Sequence, residues 1–230
     1  MLWKKAWLET RWRFCLMLGF ALLTILMGEQ GGGLHSAENA QHLMHLQLML
    51  SIVAAVNLAG AGIRTQSPFR AKAGLHGSTY YTLSLPVSRL HLLTVRALVG
   101  LLETAAVAVF LIVPAWYLFP LVRGSSTVVD LAKLLVAALA CVLCFYFVSV
   151  VIATVWDEMW QTYGSFVLIG LAWWASAHLA LPPSANVFSF STEASPLLTH
   201  SLPWPAMALS LAASTGLFLL AFRIVNRHEY

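Results

Sequence analysis

The sequence predicts an all-α integral membrane protein: six transmembrane helices preceded by an interfacial amphipathic helix, with a short cytoplasmic helix between helices 2 and 3. Three observations carry this. Of the 230 residues, 60% are hydrophobic and only 10% are charged, against roughly 25% charged in a soluble domain. Apolar runs of near-bilayer length recur along the whole chain. The Lys and Arg residues fall almost entirely on one side of those runs.

Met1–Arg13 is basic and aromatic. In a helix Trp3, Trp7, Thr10 and Phe14 share one face, with Lys4, Lys5 and Arg11 away from it, as in a helix lying among headgroups. The plainer reading is a charged, aromatic flank to the first span. No small-x-small cleavage site follows the first apolar run, so this segment is expected to stay in the mature chain.

The six spans are expected at Phe14–Gly28, Leu43–Ile63, Leu90–Leu118, Leu134–Ala153, Tyr163–Leu181 and Pro203–Phe222. Most reach the roughly 17–25 residues that cross about 30 Å of hydrocarbon. The first is short, and the third is long enough to tilt or to extend beyond the bilayer. With a cytoplasmic N-terminus, 11 Lys and Arg residues lie at the inner side and only Arg123 and Lys133 outside, which predicts that both termini are cytoplasmic. Trp116 and Trp204 then mark outer ends, and Trp12, Trp156 and Trp160 inner ones. Outer segments fall at Glu29–His42, Phe119–Asp130 and Pro182–Leu202; the last has no Lys or Arg and is long enough to cap the outer face. No soluble domain is expected.

The stretch Arg64–Glu103 organises the rest. It holds Arg64, Arg70, Lys72, Arg89 and Arg96 between two apolar segments. Ser67-Pro68 is a helix start, with Ser as cap and Pro at the first helical position. A helix of about two turns over Pro68–Leu75, within residues 67–77, is stopped by Gly74 and Gly77. A short structured helix on one side of a membrane offers a docking surface to a soluble partner.

Catalytic motifs are missing from the sequence. It contains no G-x-x-x-x-G-K-[ST], G-x-S-x-G or H-E-x-x-H. Gly164-Ser165 with His178 is a poor intramembrane serine protease signature, because the glycine after the serine is missing and Phe166 stands there. No catalytic residue, metal site, resident cofactor or nucleic-acid partner is expected. Cys15, Cys141 and Cys144 all lie in apolar runs and read as small buried hydrophobes.

Two sets of polar residues stand out. His35, His42, His45, His178 and His200 gather toward the outer side, and a membrane redox or metal-binding protein using them is the alternative function. Glu103 lies at least three turns into the third span, where a charge is costly unless paired or wetted. Arg89, Arg96 and Glu103 are spaced by sevens and share one helical stripe. That stripe is either a structural ion pair near the inner leaflet or a face on a transport cavity or subunit seam, with Arg96 and Glu103 as its candidates.

The start WKKAWLETRWRF, the segment Thr82–Arg89 (Thr-Leu-Ser-Leu-Pro-Val-Ser-Arg) before a long third span, and the tail RIVNRHEY at Arg223–Tyr230 together resemble a permease subunit of the type-2 ABC exporter family. The resemblance covers nearly the full length and implies a bacterial cytoplasmic (inner) membrane protein. In such permeases the N-terminal elbow helix and the loop between spans two and three contact a separate ABC ATP-binding subunit, which binds ATP and Mg. Two permease subunits, identical or different, complete the exporter. The resemblance gives the elbow role to Trp3, Trp7 and Arg11. It gives the coupling helix, and docking on the ATPase, to Pro68, Phe69, Arg70, Lys72 and Leu75.

Overall fold

A computed structural model describes residues 2–30, 37–59, 88–156, 158–179 and 182–227. They form helices α1 (Leu2–Gln30), α2 (Ala37–Leu58), α3 (Arg89–Leu118), α4 (Pro120–Ser125), α5 (Val128–Val155) and α6 (Glu158–His178). A 3-10 turn (Val187–Ser191), α7 (Pro196–Thr199) and α8 (Trp204–Arg227) follow, with no strand among the described residues. Among the described residues four stretches are long and apolar enough to cross a membrane: Leu2–Met27, His91–Leu118, Val128–Val155 and Trp204–Arg227. His42–Leu58 is a shorter apolar helix.

The expected division of the N-terminus into an elbow helix over 1–13 and a span over 14–28 is not seen. α1 runs unbroken for 29 residues. It contains no proline, and its first glycine is Gly19, so nothing between Arg13 and Phe14 competes with helix continuation. The predicted Trp3–Trp7–Thr10–Phe14 face is kept in part, the Trp7 and Phe14 rings meeting edge to face at 5.4 Å, but its members differ in burial. Thr10 is buried, while Trp3 and Trp7 are exposed. The face that packs inward is the stripe of Ala6, Thr10, Ala21 and Ile25. Small residues on such a stripe let helix backbones approach closely.

α3 matches its expected span almost to the residue. Ser88 caps its start, the hydroxyl accepting from the His91 N–H at 3.2 Å. Its end is set by Phe119 in extended backbone followed by Pro120, which opens α4 at the first helical position. α5 begins six residues before the expected Leu134. Asp130 and Lys133, which end an apolar run in the sequence, instead build the helix start: Thr127 and Asp130 form a reciprocal capping box. α6 likewise begins before the expected Tyr163, because Gln161 is polar yet fully buried. Its Nε2 donates to Val56 O at 3.1 Å and Ala59 O at 3.0 Å, satisfying carbonyls at the end of α2.

α5 is the central helix. It buries residues on several faces, including Leu134, Cys141, Phe145, Tyr146 and Val150. Ser210 of α8 donates to Ala140 O at 2.7 Å, and the Tyr146 hydroxyl donates to Ala97 O of α3 at 2.8 Å. The 182–202 segment folds back over one end of the bundle, as expected of a cap: Phe190 is fully buried and stays with Leu197 in the main core. Cys141 is buried and Cys144 half-buried, but Cys15 is exposed on the outside of α1, unlike the expectation for it.

α3 approaches its neighbours closely at Gly100. A Cβ there would lie 2.5 Å from the Tyr146 hydroxyl and 2.8 Å from Leu58 O. Gly100→Ala should therefore destabilise the bundle by about 1–3 kcal/mol, the usual cost of overpacking, read as a lower unfolding midpoint in detergent. The Lys/Arg asymmetry makes a second prediction. On a background lacking Cys15, Cys141 and Cys144, a membrane-impermeant maleimide applied to intact cells should label a cysteine placed at the exposed Thr199 and miss one at Gly74.

Candidate functional site

The polar groups within the helices are not scattered. α1 and α3 run parallel: Ala6 packs with Val95 and Val99, and Ala21 with Val107 and Leu111 further along. This register brings the polar residues of α1's third turn onto the stripe of α3 picked out in the sequence. Arg96 and Glu103 are both buried. They do not pair with each other, since seven residues separate them by about 10 Å along the axis. Arg96 Nη2 instead lies 3.0 Å from Glu9 Oε2, and the Thr10 hydroxyl donates to Glu103 Oε1. Lys5 adds a longer contact to Glu9 at 4.0 Å, one turn earlier on α1. The ion pair of the seam is thus Glu9–Arg96 between α1 and α3, not one within the Arg89–Arg96–Glu103 stripe expected from the sequence.

The seam holds more hydrogen-bonding capacity than its protein groups use. Arg96 Nη1 and Glu103 Oε2 are buried and have no hydrogen-bond partner among the described residues. Leu2, Ala6, Val95 and Val99 close the apolar side. Beside the seam, Arg13 Nη1 donates to Asn57 O of α2 at 2.8 Å. The site is a desolvated arginine–glutamate pair beside a threonine-held carboxyl, able to lock three helices together.

Other candidates lie elsewhere. Trp3, Trp7 and Arg11 are on the exposed side of α1. Pro68, Phe69, Arg70, Lys72 and Leu75 lie outside the described residues, as does His35. Of the remaining outer-side histidines, His42 and His45 lie one turn apart on α2 and line one cavity, and His45, His178 and His200 make contacts of their own. His45 Nδ1 is 3.2 Å from Ser191 O, His200 Nδ1 is 3.0 Å from Asp130 Oδ2, and His178 stacks on Trp174 with centroids 4.1 Å apart. Among the described residues no group of three or more His, Cys, Asp or Glu could hold a metal ion.

Sequence reasoning found Arg96 and Glu103 but missed Glu9. The available signal was that Glu9 is the sole acid in the first 28 residues, four places after Lys5, inside a segment otherwise basic and aromatic. No protein-family model, no curated protein and no solved structure matches the chain.

Removing one partner of a buried ion pair strands the other charge, whereas replacing both by apolar residues is often neutral. Glu9→Leu or Arg96→Met alone should cost about 3–5 kcal/mol of stability. The double variant should recover most of that loss in the same detergent unfolding assay, and simple additivity of the two losses would exclude the pairing.

Proposed function

We propose that this chain is a permease subunit of the type-2 ABC exporter family, embedded in the bacterial cytoplasmic membrane with both termini cytoplasmic. It crosses the membrane six times, through α1, α2, α3, α5, α6 and α8. A second permease subunit and separate ABC ATP-binding subunits complete the exporter, and ATP hydrolysis in those partners drives substrate outward. The sequence has no phosphate-binding loop of its own.

Support comes first from the segment Thr82–Arg89 and the basic, aromatic start and tail that resemble such permeases. Consecutive long helices also alternate in direction. α2 is antiparallel to α1, as Arg13 meets Asn57 O while Thr24 approaches Gln47.

The single observation that carries the reading is the polar seam. It fastens the first turns of α1 to the first turns of α3, with Leu2 and Ala6 beside Leu92 and Val95. The exposed cations Lys4 and Arg11, and the point at Ser88 where the basic segment enters α3, therefore belong to one end of the bundle. One soluble partner reaches both. In this reading Phe69 anchors the docking surface, and Arg70 and Lys72 steer the encounter.

Co-expressed with the P-loop ATPases of its source genome, the chain should hold one of them through purification and raise its hydrolysis rate. Alone it should hydrolyse no ATP. Phe69→Ala should weaken the complex by about 2–4 kcal/mol, the usual loss at an interface hot spot. Glu103→Gln keeps the acceptor for Thr10 while removing the charge, and should lower coupled transport with assembly unchanged. Hydrolysis by the chain alone, or failure of every ATPase to associate, would sink the proposal.

A further inference from the structure

At the end of the bundle opposite the seam, the first turns of α2, the helix α4 and the 182–202 segment enclose a cavity of about 620 Å³. That volume lies in the roughly 300–1,000 Å³ range of small-molecule sites. Its floor is apolar: Met44 and Leu48 from α2, Val122 from α4 and Leu197 from α7 are all buried. Its polar groups are His42 and His45 from α2, Ser125 from α4, and Ser191, Thr192, Glu193 and Ser195 from the 182–202 segment. His45 directs Nδ1 at Ser191 O at 3.2 Å. A carbonyl only accepts, so Nδ1 carries the proton in this contact, which leaves Nε2 unused by it.

The charge of the lining points the same way. Among the described residues Glu193, exposed at the mouth, is the one acid that lines it, and no Lys or Arg does. The nearby Arg123 turns its guanidinium over the Tyr117 ring, 5.6 Å from the centroid. Lys133 is occupied by Asp130 and His200 O. An anionic ligand would meet the Glu193 carboxylate with no Lys or Arg of the described residues beside it. A ligand that brings its own positive charge and N–H donors would satisfy Glu193 while burying an apolar body on the floor.

We propose that this cavity binds a lipophilic amine, with its apolar body on Met44, Leu48, Val122 and Leu197 and its nitrogen toward Glu193 and His45. The assignment stands without the exporter reading, and its failure leaves that reading untouched.

The test uses the full chain in phosphatidylcholine nanodiscs and two photo-crosslinking probes of matched length: dodecylamine and dodecanoic acid, each carrying a diazirine. The amine should label the 42–48 and 191–198 peptides saturably, compete with unlabelled dodecylamine, and exceed the acid at those peptides. Glu193→Gln, a change at an exposed position, should reduce the preference for amine over acid by up to about fivefold, the span of an exposed charge pair. Leu121→Trp, placed at the half-open wall, should cut labelling by both probes while the elution profile stays native. Equal labelling by acid and amine would overturn the proposal. So would labelling that fails to saturate, or an amine preference unchanged by Glu193→Gln, since each is what simple partitioning into the bilayer produces.

Discussion

A charge inside hydrocarbon has no solvent to turn to, so its position is decided by where a counter-group waits. Arg96 meets that constraint through Glu9, and α1 depends on the result. Among the described side chains of α1 only Ala6, Thr10, Ala21 and Ile25 are buried. Apolar packing alone therefore attaches this helix thinly, because lipid tails compete with side chains as apolar surroundings. The Glu9–Arg96 and Thr10–Glu103 contacts add directional, hydrogen-bonded attachment at one end. Arg13 on the α2 backbone extends it to a third helix. The helix that looks most peripheral is thus held by buried polar contacts.

The same constraint accounts for the smaller polar residues. Most bond a carbonyl of their own helix one turn back, as Thr104 does to Gly100 O at 2.8 Å and Ser214 to Ser210 O at 2.7 Å. A few reach across helices instead, and these mark the close approaches: Tyr146 to α3 and Ser210 to α5. At helix ends, where carbonyls and N–H groups lack intrahelical partners, Gln161 covers the end of α2 and the Thr127–Asp130 box covers the start of α5. Asp130 also receives the His200 ring, which sits at a left-handed φ of 54° as the cap of α7. That conformation costs a non-glycine residue about 1–2 kcal/mol, and the contacts to Asp130 and Lys133 fix it in place.

Hydropathy made the helical class and the extent of α3 legible because both are local properties: an apolar run, a Ser cap, a terminating proline. The burial of Arg96 and Glu103 was also legible, since a charge set among apolar residues at sevenfold spacing stands out in any helical projection. Glu9 was not. It lies in a segment rich in cations, so a neighbour such as Lys5 or Arg13 was an equally good local partner. Only the parallel register of α1 on α3, which is set by alanines and valines along their whole contact, selects Arg96. The late boundaries expected for α5 and α6 failed for a related reason. Asp130, Lys133 and Gln161 lower an average over their neighbours, yet each makes a specific polar contact and so belongs to the helix. An average of hydropathy registers polarity and is blind to the partner that neutralises it.

The geometry of the seam also limits how these helices can move. Glu9 and Thr10 are adjacent on α1, but they engage residues about 10 Å apart along α3. Two contacts that diverge from one point act as a brace: sliding α1 by one turn, about 5.4 Å, would break both and offer neither a replacement. Interfaces that slide in a conformational change have discrete alternative partners one turn away. On α3 the positions one turn from Arg96 are Leu92, Leu93, Val99 and Gly100, none of which can replace its charge for Glu9. The first half of α1 and the first half of α3 therefore move as one body. In the exporter reading, a force delivered to α3 at Ser88 by the basic segment is shared at once with α1. The hinge must then lie beyond Glu103, in the direction of Pro114, where the proline removes a hydrogen bond from α3.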